Sequence, residues 1–157
     1  MDDSALEREI ERLHEASFAW ALSCCRFSRE EAEDVLQTAY LKVIDGRARY
    51  GGRSTVKTWL FAIIRKTAAD ARRRRFLLPW RGWADPPGPA GDAERAADCA
   101  RARAALASLP RRQREVLDLV FFHDLTIEEA ARVMAVSLGS ARVHYERGKA
   151  RLRDLLT

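Results

Sequence analysis

Hydrophobic residues recur along most of the chain at helical spacing, and no β-hairpin signal interrupts them. In the first twenty residues, positions spaced three and four apart form a single face: Leu6, Ile10, Leu13, Ser17 and Trp20. This spacing matches the 3.6-residue period of an amphipathic helix. The pattern therefore predicts an all-α fold.

Two more helices are expected before residue 76. The segment from Ser28 to Glu31 has the S-x-x-E pattern of a capping box, which marks a helix start. The outward side of the helix that follows is polar: Asp34, Gln37 and Lys42. A loop over residues 46–54 contains three glycines, and a third helix is expected over residues 55–75.

Four of the five prolines fall in one segment, together with three glycines. Proline lacks a backbone donor and glycine adds backbone freedom, so residues 77–93 are expected to form a linker. The linker divides the chain into two small helical domains, residues 1–76 and 94–157. Trp80 and Trp83 lie in the linker, where they dock either on one of the domains or on a partner.

Four helices are expected in the second half of the chain. The first covers residues 94–107, and Pro110 suits the first turn of the next. A second capping box begins at Thr126, and a turn at residues 135–137 precedes a last helix that ends near Leu156. Two helices joined by a three-residue turn, the second of them basic, are typical of a helix-turn-helix. A two-helix corner without a DNA role is the alternative.

Charge is distributed unevenly along the chain, although the formal net charge is only +5. The net charge is −6 in residues 1–41, +9 in residues 42–75, −2 in residues 76–100 and +4 in residues 101–157. Two basic blocks suit a polyanion, and nucleic acid is the first candidate because phosphate contacts supply most non-specific affinity. Solvated helix faces are the alternative.

Two helix faces are candidates for contact with nucleic acid. On the third helix, Trp59, Lys66 and Arg73 repeat every seven residues, with alanines between them. An aromatic ring and cations on a flat surface suit stacking on unpaired bases, although Trp59 could instead be a core residue. On the last helix, the residues expected to face outward are Arg142, Val143, His144, Arg147 and Lys149.

Several classes of protein are disfavoured by the sequence. The sequence has no run of 18 apolar residues, so no membrane-spanning helix is expected. The N-terminus lacks the apolar core of a secretory signal, so a cytoplasmic location is expected. Three cysteines without a C-x-x-C pair argue against a disulfide framework. An enzyme or metal protein would have to use sets that match no ligand spacing: His14 with Cys24 and Cys25, or His123 with Asp124. No catalytic site, metal or cofactor is expected.

Two sets of motifs resemble a known family. In the first half they are residues 31–42 (EAEDVLQTAYLK), residues 52–63 (GRSTVKTWLFAI) and the run Arg72–Arg75. In the second half they are residues 106–117 (LASLPRRQREVL) and the helix-turn-helix with its Ala150–Arg153 end. Together they resemble the two conserved domains of bacterial RNA polymerase sigma factors of the extracytoplasmic-function (ECF) class, in the sigma-70 family. Two independent motif sets in the right order make the resemblance specific.

The resemblance implies a role for each region. Asp34 and Gln37 correspond to the surface that binds the clamp helices of the largest polymerase subunit, and the linker corresponds to a segment that threads toward the polymerase active centre. The loop near Tyr50–Ser54 and the helix from Trp59 correspond to the part that opens and reads the minus-ten promoter element. Its candidate residues are Arg53, Trp59, Arg65, Lys66 and Arg73. The residues that correspond to the helix entering the major groove at the minus-thirty-five element are Ser140, Arg142, Val143, His144 and Arg147.

The chain departs from the family pattern at positions that bear on DNA recognition. The family usually has Asn at the position of Lys66 and often Arg at that of Ala62, so minus-ten recognition is either altered or leans toward backbone contact. The run from Arg142 to His144 replaces a common Lys-Ser-Arg. Val143 within it either meets a thymine methyl group or packs against the preceding helix. Gly148 costs about 0.5–1 kcal/mol in mid-helix, and close helix packing is its expected reason.

The resulting prediction is a sigma factor that binds core RNA polymerase and directs promoter recognition and transcription initiation. Its expected partners are core RNA polymerase, promoter DNA and an anti-sigma factor, with no small-molecule substrate. The alternative is a helix-turn-helix regulator that binds duplex DNA without polymerase. That alternative explains residues 101–157 but leaves the helix of Asp34 and Gln37 and the face of Trp59 unused.

Overall fold

The computed structural model describes residues 1–75 and 93–157, without the side chains of residues 93–96 and 99. Within these ranges the chain forms eight α-helices and no strand, so the predicted all-α fold with a helix-turn-helix is confirmed. The chain divides into two compact units, Met1–Pro86 and Pro87–Thr157. The predicted linker, with Trp80 and Trp83, lies outside the described residues except for position 93.

The N-terminal unit contains four helices: α1 (Asp3–Arg12), α2 (His14–Cys24), α3 (Arg29–Ile44) and α4 (Val56–Arg75). The single helix predicted at the start is divided at Leu13, whose ψ of 3° interrupts the helical backbone between α1 and α2. Helices α2, α3 and α4 pack against one another, and α1 packs against α2 and α4. The unit is therefore a three-helix core with one additional helix.

Trp20 of α2 lies fully buried in the core of this unit. Its indole N–H donates to the carbonyl oxygen of Phe61 at 3.1 Å, and its ring stacks on the Phe61 ring at a centroid distance of 5.8 Å. Leu60 and Ile64 of α4 and Leu36 of α3 are buried as well. Because each such side chain contributes about 1.5–3 kcal/mol when buried, these contacts hold α4 firmly against α2 and α3.

The C-terminal unit also contains four helices: α5 (Ala93–Ala107), α6 (Arg111–Phe121), α7 (Ile127–Met134) and α8 (Leu138–Leu156). Helices α6, α7 and α8 pack against one another, and α5 packs against α8. The largest fully buried side chains that the structure describes in this core are Val116, Leu117, Leu119 and Met134. None of the helices in the described part of the chain is both long enough and apolar enough to cross a membrane.

The turn between α7 and α8 has the three residues that the sequence predicts. Thr126 caps α7 by accepting from the backbone amide of Glu129 at 3.1 Å. Ser137 caps α8 by accepting from the backbone amide of Ser140, also at 3.1 Å. Ala135 ends α7 in the left-handed conformation, with φ of 56°, where glycine is the usual residue. These caps and the short turn form the helix-turn-helix.

Candidate functional site

The outward side of α3 carries the polar residues predicted to bind polymerase. Ser28 starts α3 by accepting from the backbone amide of Glu31 at 3.4 Å, which confirms the predicted helix start. Asp34 and Gln37 are exposed because the apolar residues of α3, among them Leu36, pack inward. Since the two residues lie three apart on a helix, they are neighbours on its surface.

A groove of about 440 Å³ lies beside Gln37, between α2 and α3. Its lining includes Leu41, which is 50% exposed, and Ile44, which is 79% exposed. Sequence reasoning missed both residues as parts of the site. The signal was present, because Leu41 and Ile44 follow Gln37 at spacings of four and seven, on the same side of the helix. The exposed surface of α3 is therefore polar at one end and aliphatic at the other.

Lys42 does not face outward, so that prediction was wrong. It is half-buried, and its ammonium group donates to Thr67 Oγ1 of α4 at 3.0 Å. The Thr67 hydroxyl in turn donates to the carbonyl oxygen of Ile63 at 2.7 Å. A long aliphatic stem lets a lysine cross apolar surface and place its charge on a distant acceptor. Lys42 therefore joins α3 to α4.

Trp59 lies half-buried in the first turn of α4, against an aromatic residue of the preceding loop. Its ring centroid is 5.3 Å from that of Tyr50, and the ring planes are inclined at 58°. The Tyr50 hydroxyl donates to the carbonyl oxygen of Ser54, and Thr55 Oγ1 accepts from the backbone amide of Thr58 at 3.1 Å. The loop and the helix start are thus held together, with Tyr50 as a partner of Trp59 that sequence reasoning missed.

The basic residues expected at the minus-ten element are divided over two sides of α4 and the loop before it. Lys66 and Arg73 are exposed and share the side of Trp59, as the seven-residue spacing predicts. Arg65 is half-buried and lies about 100° around the helix from Lys66. Arg53 is exposed in the loop. The structure therefore brings Trp59, Lys66 and Arg73 together and leaves Arg65 on another side.

The arginine run at the end of α4 has a structural use that the sequence does not reveal. Arg72 donates to the carbonyl oxygen of Cys24 at 3.3 Å, at the end of α2. Arg75 forms an ion pair with Glu31, in the first turn of α3. These two arginines therefore tie the end of α4 to both neighbouring helices.

Helix α8 carries the residues expected at the minus-thirty-five element. Four of them are exposed: Ser140, Arg142, Val143 and Arg147. His144 is half-buried. Val143 is 45% exposed, which argues against the alternative that it packs against the preceding helix. The side chains expected to face inward are buried at Ala141 and half-buried at Tyr145 and Leu152.

Gly148 lies on α8 where the helix packs closely against α6, and its surroundings are the tightest of any glycine that the structure describes. A Cβ atom at this position would meet Leu117 Cδ1 at 3.0 Å and Gln113 Cβ at 3.2 Å. Both distances are shorter than ordinary van der Waals contact. Close helix packing is therefore the reason for this glycine, as expected from the sequence.

The buried cysteines and His123 are interior residues. Cys24 and Cys25 are buried thiols that form no disulfide with each other. Burial, with a smaller effect of the nearby Glu31 carboxylate, raises the pKa of Cys25 to about 12, so the thiol is neutral near pH 7. His123 is buried with Nε2 3.9 Å from Asp118 Oδ2. No group of three His, Cys, Asp or Glu side chains in the described ranges is placed to hold a metal ion.

Each half of the chain matches a protein-family model of a sigma-70 region. Sigma-70 region 2 matches residues 10–76, and Sigma-70, region 4, matches residues 99–152. RNA polymerase sigma factor CarQ of Myxococcus xanthus is 33% identical over 129 residues, which cover 80% of this chain and 74% of CarQ. ECF RNA polymerase sigma factor SigM of Mycobacterium tuberculosis is 30% identical over 155 residues, which cover 99% of this chain and 79% of SigM.

Two solved structures have similar folds. The sigma factor RpoE, in complex with the anti-sigma factor NepR from Bartonella quintana, has a TM-score of 0.75 and 25% identity, over 96% of this chain and 95% of RpoE. CnrH, in complex with the cytosolic domain of CnrY, has a TM-score of 0.69 and 22% identity, over 99% of this chain and 89% of CnrH, a likeness of fold. The region 2 match accounts for the half of the chain that a polymerase-independent regulator would leave unused. The chain therefore belongs to the ECF class of the sigma-70 family of RNA polymerase sigma factors.

Proposed function

We propose that this sigma factor binds core RNA polymerase through the exposed side of α3, at the clamp helices of the largest subunit. The observation that carries the proposal is the exposure of Asp34 and Gln37 beside two exposed aliphatic side chains, Leu41 and Ile44. Exposed aliphatic side chains next to polar groups are typical of protein interfaces. The aliphatic end supplies buried area on binding, and the polar end supplies orientation.

The proposed minus-ten surface is the side of α4 that carries Trp59, Lys66 and Arg73. An aromatic ring held against Tyr50 is a preorganised platform for an unpaired base. Exposed Lys66 and Arg73 follow it along the helix at one-heptad steps, so they can contact the backbone of the same strand. Arg53 and Arg65 flank this surface from the loop and from the neighbouring side of α4, where phosphate contact is their proposed role.

The proposed minus-thirty-five surface is the exposed side of α8. An α-helix fits the major groove, where each base pair has a distinct pattern of donors and acceptors. Ser140 and Arg142 lie in the first turns, and Val143 and Arg147 lie further along the same exposed side. His144, half-buried, is proposed to contact the edge of the site. Val143 is proposed to meet a thymine methyl group.

The division of labour between the two halves follows from these surfaces. Residues 1–76 are proposed to bind polymerase and the minus-ten element, residues 94–157 the minus-thirty-five element, and residues 77–93 to connect them along the polymerase toward its active centre. The chain has no proposed catalytic site, since RNA synthesis is the work of the polymerase. Its proposed location is the cytoplasm, with core polymerase and promoter DNA.

An anti-sigma factor is a further proposed partner. RpoE and CnrH were each solved in complex with a second protein, the anti-sigma factor NepR and the cytosolic domain of CnrY. A protein that covers the exposed side of α3 would compete directly with core polymerase for Asp34 and Gln37.

A binding experiment tests the polymerase surface. The full chain is titrated into bacterial core polymerase as wild type, as Asp34→Arg/Gln37→Ala, and as a control, Glu11→Arg, which reverses a charge on the exposed side of α1. The double variant should bind at least about tenfold more weakly, because it removes a polar contact and introduces a repulsive charge. The control should bind like the wild type.

Helical circular dichroism of each variant establishes that the chain is folded. If the folded double variant binds core polymerase like the wild type, α3 is not the docking surface. If the folded wild type fails to bind core polymerase and binds duplex DNA by itself, the polymerase-binding role is wrong for this chain.

A further inference from the structure

Glu146 lies on the exposed side of α8, among the residues proposed to contact DNA. It follows Arg142 by four residues and Val143 by three, so its side chain is next to both on the helix surface. Gly139 and Ala150 lie seven residues before and four residues after it, close to the same azimuth, and both are exposed. Glu146 therefore lies on the exposed side of α8 with small residues, Gly139 and Ala150, on part of its surroundings and arginines, Arg142 and Arg153, on the rest.

Among the residues that the structure describes, the Glu146 carboxylate has no hydrogen-bond or ion-pair partner. No hydrogen bond or ion pair joins it to Arg142 or to Arg147 in the described part of the chain. The two arginines are exposed. A carboxylate kept apart from neighbouring guanidinium groups remains available to accept hydrogen bonds from a ligand.

Phosphate groups repel a carboxylate. A carboxylate on a DNA-binding helix is therefore better placed against the edges of bases than against the DNA backbone. In the major groove the donors are the amino groups of cytosine and adenine. In adenine, the amino group lies next to N7, and N7 is an acceptor that repels a carboxylate. Cytosine has its N4 donor in the major groove and no acceptor beside it. Arg142 and Arg147 can meet phosphate or guanine on either side of Glu146.

We propose that Glu146 selects cytosine at one position of the upstream promoter element, by accepting a hydrogen bond from the cytosine N4 amino group. This inference rests on the proposed entry of α8 into the major groove. It assigns specificity to an acidic residue that would otherwise only weaken DNA binding. The partner is duplex DNA with cytosine in one strand of the element.

The test uses holoenzyme formed from the full chain and bacterial core polymerase, with a promoter library randomised in both elements. Bound promoters are sequenced for the wild type, Glu146→Gln, Glu146→Ala and Asp154→Asn. The last variant is a matched control, because it removes the same charge from an exposed position about 12 Å further along α8. In the same experiment, the binding of each variant chain to core polymerase and the binding of each holoenzyme to the promoter library are measured.

The wild type should enrich cytosine about tenfold at one upstream position. Glu146→Gln should move the preference at that position toward adenine, since an amide can pair with adenine N6 and N7. Glu146→Ala should lose the preference at that position only, and Asp154→Asn should keep the wild-type pattern.

Two results would overturn the inference, and they are distinguishable. If the wild type enriches upstream bases and both Glu146 variants select the same bases, Glu146 does not read DNA, and the proposed function stands. If the wild-type holoenzyme forms but no upstream base is enriched, the entry of α8 into the major groove is wrong, and the assignment of Glu146 fails with it.

Discussion

Individual side chains, buried or half-buried, join the helices of the N-terminal unit through polar groups. Trp20 donates to a carbonyl oxygen of α4, and Lys42 reaches the Thr67 hydroxyl across the unit. Cys25 is a different case, because burial suppresses ionisation of its thiol. Removing one partner of a buried hydrogen bond costs about 1–3 kcal/mol, so loss of the Trp20 indole N–H should lower the free energy of unfolding.

The thiol of Cys25 makes stability depend on alkaline pH. At pH 8 the thiol is protonated in both the folded and the unfolded chain, because its ordinary pKa is 9.0. As pH rises from about 9 toward about 12, the unfolded chain loses this proton while the folded chain keeps it. Stability is therefore lost over that window, by about 1.4 kcal/mol per pH unit.

Urea unfolding under reducing conditions at pH 8 and pH 10 measures this effect. Between the two pH values, the wild type should lose about 1 kcal/mol more stability than Cys25→Ala. The free-energy cost of the cavity left by the substitution is the same at both pH values, so it cancels when the two stabilities are subtracted. Equal losses in the two proteins would show that the thiol does not control this transition.

Helix α8 has two opposite sides with different requirements. Its inner side must lie close to α6, and Gly148 is the residue that permits the approach. Its outer side carries exposed cations and Glu146. The position of the residues proposed to contact DNA therefore depends on Gly148, which lies on the inner side of the helix.

Gly148→Ala should lower the free energy of unfolding by about 1–3 kcal/mol. Alanine is the better helix former, but its Cβ would lie 3.0 Å from Leu117 Cδ1 and 3.2 Å from Gln113 Cβ. Thermal unfolding followed by circular dichroism measures the change.

Gly139→Ala is the matched control on the same helix. Its Cβ would meet nothing closer than Ser137 Oγ at 4.0 Å, so it should stabilise the chain by about 0.5–1 kcal/mol. A stabilising effect of both substitutions would mean that α8 does not pack closely on α6.

The whole molecule combines a proposed surface for polymerase with two proposed surfaces for DNA. The acidic residues 1–41 include the outward side of α3, and the strongly basic residues 42–75 include α4. Transcription initiation requires these surfaces in sequence, because polymerase must be bound before the promoter is opened. A substitution in α4 should therefore separate the two steps.

Trp59→Ala should leave binding to core polymerase unchanged and impair promoter opening. Base–aromatic stacking contributes about 1–3 kcal/mol per base, so the fraction of open promoter should fall about tenfold. Permanganate footprinting of unpaired thymines, together with the titration of core polymerase, measures both steps. Trp59→Phe keeps an aromatic ring and should retain most of the opening. Normal opening by Trp59→Ala would show that its ring does not stack on the separated strand.

Local signals in the sequence were sufficient for most of the helices, although not for the division between α1 and α2, and for much of the exposed candidate site. Ser28, Thr126 and Ser137 start the expected helices, since a cap acts within one turn. The exposure of Asp34 and Gln37 followed from periodicity, because the buried side of α3 leaves them only the opposite side. The motifs of both halves were also sufficient to identify the family.

Contacts between residues far apart in the chain were decided only by the tertiary structure. The approach of Lys42 to Thr67, the pairing of Arg75 with Glu31 and the groove beside Gln37 depend on how α2, α3 and α4 pack. The helical periodicity of a sequence indicates which side of a helix is apolar. It does not indicate which long polar side chain will donate to an acceptor on the neighbouring helix. The sequence by itself thus determined most of the helices, the exposure of Asp34 and Gln37 and the family. Packing determined the division at Leu13 and which charged residues remain exposed, because both depend on contacts between helices.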